Sequence, residues 1–313
     1  MAGMDGGAPK MAGAMLLAVL YGISSSVQGP TNTALSTHVG RAKSSLVSFT
    51  GGALVLAIAV LLFGGGNLGA ASQVPFWQLC TGALGFVIII STVYSTPRLG
   101  IALTLMILMF AKLLTGACLD AFGLLGLEQK IISPMRLFGL MLVAAGIIVV
   151  SIGRMKSSGS RASGEMSGSI AAAAFMAISG MANAIQAPIL SMLSSSTGQL
   201  EASFINFIGG MICALAYTLI AGRGGRKQGD GERVRPWQVL GGLYGACSVL
   251  IVVTVTPILG VGMLVSIQMC AQLIGSMIID SRGWLGCKRI PVSGWRLGAI
   301  ALIACGIGAL AMA

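Results

Sequence analysis

The sequence predicts an all-α polytopic membrane protein whose ten transmembrane helices form two inverted five-helix repeats. Composition, an internal duplication and the placement of the basic residues support this prediction. Of the 313 residues, 56% are hydrophobic and only 9% are charged, which is too little charge to cover a soluble globule of this length. Apolar runs of about twenty residues match the roughly 30 Å hydrocarbon core of a bilayer at about 1.5 Å per helical residue.

The chain contains a duplication of itself. Residues 97–126 return as residues 257–286 at an offset of 160 positions, and residues 27–40 return as residues 185–198 at an offset of 158. Because the first apolar run matches an internal helix, we expect it to be a transmembrane helix and not a removable signal peptide. The matched positions include Pro97 and Pro257, Gly100 and Gly260, Asp120 and Asp280, Gln28 and Gln186, and Pro30 and Pro188.

The apolar runs define five spans in each half. Trp77 and Trp237 begin the third helix of each repeat, as is typical of interfacial anchors. A polar, Ser/Gly-rich segment at 155–166 predicts a flexible linker, so the predicted domains are residues 1–154 and 167–313. The expected spans are 11–32, 44–63, 77–94, one within 97–126, 136–153, 169–190, 202–221, 237–256, 260–279 and 294–312.

An odd number of spans per repeat predicts that the two halves have opposite orientations in the membrane. Three of the 19 Lys and Arg residues fall on the side of the two termini, fifteen fall on the opposite side, and Lys112 falls within a span. The positive-inside rule then places both termini on the non-cytoplasmic side. Since the basic residues form short clusters between apolar runs, the net charge of +11 indicates topology and not nucleic-acid binding.

The two halves carry short motifs, some of which occur in both. They are Gly29-Pro30-Thr31-Asn32, the Phe-x-Gly-Gly segments at 49–52 and 207–210, a tryptophan before each Gly-rich third helix, the Pro-x-Leu-Gly segment at 257–260 and the Gln-Leu-Ile-Gly-Ser segment at 272–276. This pattern resembles the drug/metabolite transporter (DMT, EamA-like) superfamily, and within it the YdcZ-like family. The resemblance implies a multi-pass transporter of the bacterial cytoplasmic (inner) membrane, with a pathway between the halves and no defined substrate.

The chain departs from this pattern at two points. Lys112 replaces the glutamine that the pattern leads us to expect, and Ile189-Leu190 replaces the Thr31-Asn32 pair. These departures would confine polar function at those points to one half.

Lys112 is the first candidate for a substrate-binding residue. Inverted repeats usually place a substrate site near the membrane midplane at the repeat interface, and Lys112 lies eight residues before Asp120, about 12 Å along a helix. An unpaired charge at that depth costs roughly 3 kcal/mol. Two interpretations remain open. Lys112 binds an anionic group or titrates during transport, or it snorkels or packs as a neutral amine against helix carbonyls.

The other substrate-binding candidates are amides on matching helices. Gln28 and Gln186 precede Pro30 and Pro188, which either loosen the ends of helices one and six and free carbonyls for a ligand, or mark ordinary helix ends. Such amides also hold membrane helices together, so both roles remain open. The full set is Gln28, Asn32, Asn183, Gln186, Asn206, Gln268 and Gln272.

The remaining polar residues are expected to be structural. Asp120 and Asp280 end helices and should pair with loop Arg or Lys residues. Glu201 opens a helix, where a carboxylate favours the helix dipole. The single histidine, His38, should lie in a loop as a bystander. Seven cysteines without a CxxC pair argue against a disulfide framework or a metal site, and we expect no cofactor.

Secondary transport is the function that these observations favour. The expected partners are a small-molecule solute and the lipid bilayer, and the expected assembly is a monomer or homodimer. An enzyme is disfavoured because the sequence has one histidine, no HExxH motif and no mid-membrane acid pair, and no Walker A pattern indicates an ATP-driven motor. A channel or a non-transporting membrane subunit remains the alternative.

Overall fold

The computed structural model describes residues 7–126, 129, 133–157, 163–221, 233–287, 289–290 and 292–311, and these residues form helices, turns and loops without a strand. The helices are α1 (Gly7–Val39), α2 (Arg41–Phe63), α3 (Phe76–Leu79), α4 (Thr81–Leu99), α5 (Ile101–Phe122), α6 (Pro134–Ser157), α7 (Ser163–Thr197), α8 (Gln199–Ala221), α9 (Gly241–Arg282) and α10 (Gly294–Ala311).

Helix α9 is bent into two arms that run antiparallel. A Cβ added to Gly22 of α1 would lie 2.4 Å from the carbonyl oxygen of Gln268, while the Ser24 hydroxyl donates to the carbonyl oxygen of Tyr244 at 3.2 Å. Gly22 and Ser24 are neighbours on one turn, but Tyr244 and Gln268 would be about 36 Å apart in a straight helix. The two arms, 241–256 and 263–282, therefore count as separate membrane spans.

The described residues supply ten apolar spans in all. Eight segments of 20–30 residues are long and apolar enough to cross a bilayer, counting the two arms of α9 separately. Pro134–Val149 and Gly294–Ala309 are shorter apolar helices, and they complete the fifth position of each repeat. The prediction of an all-α membrane protein with ten spans is confirmed.

The two halves pack on each other through reciprocal contacts. Gly22 of α1 approaches Gln268 of α9, and Gly180 of α7 approaches Leu108 of α5; in both contacts an added Cβ would lie 2.4 Å from the facing carbonyl oxygen. The duplication matches Gly22 with Gly180 and Leu108 with Gln268, so the two contacts exchange under it. Small residues at such crossings let membrane helices approach backbone to backbone. Because each repeat holds five spans, the relating axis lies in the membrane plane and the repeats are inverted.

Helices α1 and α7 are longer than the sequence predicted. Pro30 and Pro188 both lie inside their helices, which continue to Val39 and Thr197, so the prediction that helices one and six end near the prolines was wrong. Proline removes one backbone donor, but neighbouring helices and Ser or Thr side chains can compensate for this inside a membrane bundle.

Both ends of the predicted linker at 155–166 are helical. Residues 155–157 belong to α6 and residues 163–166 to α7. Residues 158–162 lie outside the described part of the chain.

The helix-ending aspartates pair with arginines in the next helix. Asp120 pairs with Arg136 in the first turn of α6, and Asp280 pairs with Arg296 in the first turn of α10 at 3.3 Å. The carboxylate of Asp280 also accepts the backbone N–H groups of Ile101 and Ala102 at 3.0 and 2.9 Å. Asp280 therefore caps the N-terminus of α5, where helix N–H groups lack intrahelical partners. The sequence had suggested partners in loops, but both arginines lie in helices.

His38 and Glu201 are tied into the packing at opposite ends of the bundle. His38 lies in the last turn of α1 and not in a loop, so that prediction was wrong; its Nε2 is 3.2 Å from Nε2 of Gln238. The α1 helix extends over His38 because it does not stop at Pro30. Glu201 lies in the first turn of α8, as predicted, and also accepts the backbone N–H of Gly66 at 2.9 Å.

Candidate solute-binding cavity

A cavity of about 590 Å³ lies between the two repeats. Helices α1, α2, α4 and α5 of the first half line it, together with α7, α8 and both arms of α9. All eight substrate-binding candidates from the sequence line this cavity. They are Gln28, Asn32, Lys112, Asn183, Gln186, Asn206, Gln268 and Gln272.

Lys112 is the only charged side chain among the described residues that line the cavity. Its helix, α5, packs closely on α7, since a Cβ on Gly180 would lie 2.9 Å from the backbone nitrogen of Lys112. No hydrogen bond or ion pair to the Lys112 side chain exists within the described part of the chain. The lysine is half-buried and projects its charge into a space between helices.

Some of the amides hold the helices together. The Nε2 of Gln186 donates to the carbonyl oxygen of Thr81 at 3.0 Å and to Oδ1 of Asn206 at 2.9 Å, so one side chain of α7 links α4 to α8. The Nε2 of Gln268 donates to Oε1 of Gln272 at 2.6 Å, one turn along the same arm of α9. The contacts of Gln186 match the interhelical role that buried amides often have in membranes, whereas the bond between Gln268 and Gln272 lies within one arm of α9.

Other amides in the cavity keep hydrogen-bonding capacity. Asn32 is 2% exposed, and its Oδ1 has no hydrogen-bond partner among the described residues. No side-chain hydrogen bond is present for Gln28 or Asn183 within the same part of the chain. Gln28 and Asn183 are therefore available to a ligand, whereas the buried Oδ1 of Asn32 faces Gly241 and remains a costly unpaired atom in the described chain.

Among the described residues, the cavity is lined at one end of the bundle and not at the other. Ser191, Ser194 and Gln199, where α7 ends and α8 begins, line it. Their counterparts in the duplication are Thr33, Ser36 and Arg41, where α1 ends and α2 begins. None of these three lines the cavity. The two repeats thus pack on each other symmetrically, but the cavity between them opens at one end and not at the matching end.

The α1–α2 end is closed where α1 meets the second half. A Cβ on Gly241 would overlap Oδ1 of Asn32 at 1.8 Å. Within the first half, the Ser44 hydroxyl of α2 donates to the carbonyl oxygen of Asn32 at 2.5 Å. His38 and Gln238 meet at the same end. Sequence reasoning missed this closure and the serines of the opposite mouth. The i, i+3 spacing of Ser191 and Ser194 was the available signal, but it indicates only that they share a helix face.

The fold and the cavity define a membrane transporter built from inverted repeats. The chain belongs to the DMT_YdcZ family, whose model, described as "Putative inner membrane exporter, YdcZ", matches residues 13–149 and 171–309. The two matched stretches fall in the two halves of the duplication, which confirms the resemblance inferred from the motifs. The protein is therefore a multi-pass protein of the inner membrane, and its family is a class of transporters and not of enzymes.

Among the solved structures that match the fold, one described as "Crystal structure of protein" is 16% identical, with a TM-score of 0.58 over 96% of both chains. This likeness extends to the architecture alone. No curated protein gives a significant match to the sequence.

Proposed function

We propose that the protein is a secondary transporter that moves a small organic solute across the inner membrane by alternating access between its two repeats. This proposal rests on one observation: the two repeats pack symmetrically, but the cavity between them opens at one end only of the described structure. The crossings at Gly22 and Gly180 are alike, yet the cavity opens at Ser191 and not at its counterpart Thr33. Inverted-repeat transporters use such an exchange of two related arrangements around a fixed site.

The transport cycle follows from exchanging the two arrangements. In the present one, Asn32 and Gly241 close the α1–α2 end, while the mouth at Ser194 is open. In the exchanged one, the α7–α8 end closes and the α1–α2 end opens. With the fifteen basic residues in the cytoplasm, the present arrangement faces outward. The family description favours export as the net direction.

The closed α1–α2 end disfavours a channel, which is the competing function. A channel needs a path open at both ends at once, whereas here the α1–α2 end is closed by the contacts of Asn32 with Gly241 and of His38 with Gln238. A carrier needs one closed end in every state, so the closure fits transport by alternating access.

Counterflow distinguishes these functions. The purified protein would first be screened by thermal shift against metabolites, amino acids and organic cations, because a ligand of the native state raises its melting temperature. A hit would then be loaded unlabelled into proteoliposomes at high concentration, with labelled solute outside. A carrier accumulates label transiently inside, while a channel only equilibrates it. Equilibration without overshoot would contradict the proposal.

A further inference from the structure

The cavity has one basic side chain, which has no partner among the described residues. Lys112 lines it, and the other described lining residues are neutral. The lysine has no hydrogen-bond or ion-pair partner in the described part of the chain. A charge held away from water between membrane helices is costly unless it meets water, a counter-ion or a ligand.

The carboxylates with described side chains are engaged elsewhere. Asp120 pairs with Arg136, and Asp280 pairs with Arg296 and caps α5. Glu201 accepts the N–H of Gly66. None of these three acids lines the cavity, so none of them is a counter-ion for Lys112.

Only the first half has a basic residue at this position of the duplication. The counterpart of Lys112 is Gln272, whose Oε1 accepts from Gln268 one turn earlier. The residue one turn before Lys112 is Leu108, which has no polar side chain to share. The second half therefore satisfies this position within its own helix, and the first half leaves it open toward the cavity.

The rest of the lining fits a solute with one charge and an apolar body. Gln28 and Asn183 offer hydrogen-bonding groups without partners among the described residues. Ile88, Met109 and other aliphatic side chains form the walls. An anion close to Lys112 gains the Coulomb attraction that low-dielectric surroundings strengthen, while a cation meets repulsion at the same place.

We infer that the solute is a small organic monoanion, with a carboxylate bound by Lys112, an apolar body against the aliphatic walls, and polar substituents bound by the free amides. This inference rests on the proposed function, because it names the class of solute for the same cavity.

Two matched probe series test the charge without a known substrate. They are benzoate, benzamide and benzylamine, and indole-3-acetate, indole-3-acetamide and tryptamine. Melting temperatures would be measured on the full-length protein in lipid nanodiscs at equal ligand concentrations. The expected result is that at least one carboxylate raises the melting temperature by several degrees, with smaller shifts for its amide and amine. Equal or larger shifts with the amides or amines, or no shift with either carboxylate, would overturn the inference.

Variants then locate the charge. Lys112→Gln installs the residue found at the counterpart position, and it should weaken carboxylate binding at least tenfold. Lys112→Arg should retain binding within that range. Lys10→Gln, which removes an exposed charge outside the cavity, should change nothing. Undiminished carboxylate binding by Lys112→Gln overturns the inference. If Lys112→Gln does not fold, the comparison of acid with amide on the wild type still decides.

Failure of this inference differs from failure of the proposed function. A neutral or cationic solute that shows counterflow would leave alternating access intact and refute the monoanion. A carboxylate that binds through Lys112 but never shows counterflow would leave the anion site intact and refute transport.

Discussion

The rings of Phe49 and Phe207 meet edge to face, with their centroids 5.8 Å apart and their planes at 70°. Each is the counterpart of the other in the duplication, so this contact joins a residue to its own equivalent and marks the pseudo-twofold axis. A Cβ on Gly52 would lie 2.2 Å from the Phe207 ring, and one on Gly210 would lie 2.2 Å from the Phe49 ring. The aromatic pair and its two glycines thus fix the halves together beside the cavity.

The reciprocal glycine crossings should be sensitive to a single methyl group. Gly22→Ala and Gly180→Ala each force a Cβ to 2.4 Å from a backbone carbonyl oxygen, and overpacking of this kind costs about 1–3 kcal/mol. Both variants should melt several degrees below the wild type and by similar amounts. Gly51→Ala and Gly116→Ala, where a Cβ has no neighbour within 4 Å, are the controls and should be neutral or slightly stabilising. Wild-type melting of the first pair would contradict the close packing.

The two aspartate–arginine pairs should differ in strength. The side chains of Asp280 and Arg296 are 0% and 6% exposed, whereas those of Asp120 and Arg136 are 26% and 21% exposed. Breaking a buried pair costs about 3–5 kcal/mol because a buried charge is left without a partner, while a more exposed pair contributes about 0–1 kcal/mol. Asp280→Asn should therefore lower the melting temperature far more than Asp120→Asn. Equal losses of melting temperature would contradict the greater cost of breaking the buried pair.

Substitutions of the matched residues Gln28 and Gln186 should differ in their effect on stability but not in their effect on solute binding. Gln186→Leu leaves the carbonyl oxygen of Thr81 and Oδ1 of Asn206 without their donor, which should cost about 1–2 kcal/mol. Gln28→Leu breaks no side-chain hydrogen bond of the described chain, so the melting temperature should stay near that of the wild type. Because both residues line the cavity, both variants should weaken solute binding. A large loss of stability with Gln28→Leu would assign that glutamine to helix packing.

Cys287, in the loop between α9 and α10, should react slowly with maleimides. Burial, and next the negative charge of Asp280, raise the pKa of the Cys287 thiol to about 12, so only about one thiol in ten thousand is ionised at pH 8. The thiolate is the reacting form. Labelling of a protein that retains only this cysteine should accelerate as the pH rises toward 12, and should be fast at pH 8 once SDS unfolds the chain.

The same raised pKa has a consequence for stability. The unfolded chain binds fewer protons at this thiol above an ordinary pKa of about 8.5, so its contribution to folding is present below that pH and is lost between 8.5 and 12. Fast labelling of the native protein at pH 8 would contradict both statements.

The sequence was sufficient for the architecture because the duplication is visible in single residues. The matches of Pro97 with Pro257 and of Asp120 with Asp280 gave the repeat, and an odd number of spans gave its inversion. The helix ends at Pro30 and Pro188 were predicted incorrectly, since the cost of a proline in a membrane helix depends on neighbours that a local pattern does not contain.

Some residues that line the cavity could be predicted from the sequence. Polar residues such as Lys112 and Asn183 stand out inside apolar runs, because a polar group in lipid needs a partner or a cavity. The division of the amides into bonded and unbonded groups could not be predicted, since the bond from Gln186 to Asn206 depends on how α7 and α8 cross. The closure at Asn32 likewise depends on the approach of Gly241, which is distant in sequence.

Accessibility of two matched positions tests the inverted duplication most directly. Arg41 begins α2 and Gln199 begins α8; both are exposed, and they are counterparts at the offset of 158. Arg41→Cys and Gln199→Cys would each be made in a cysteine-free background and treated with a membrane-impermeant maleimide in right-side-out and inside-out vesicles. We predict that Gln199→Cys is labelled only from the outside and Arg41→Cys only from the cytoplasmic side. Labelling of both cysteines from the same side would contradict the inverted repeat, and with it the transporter that we propose.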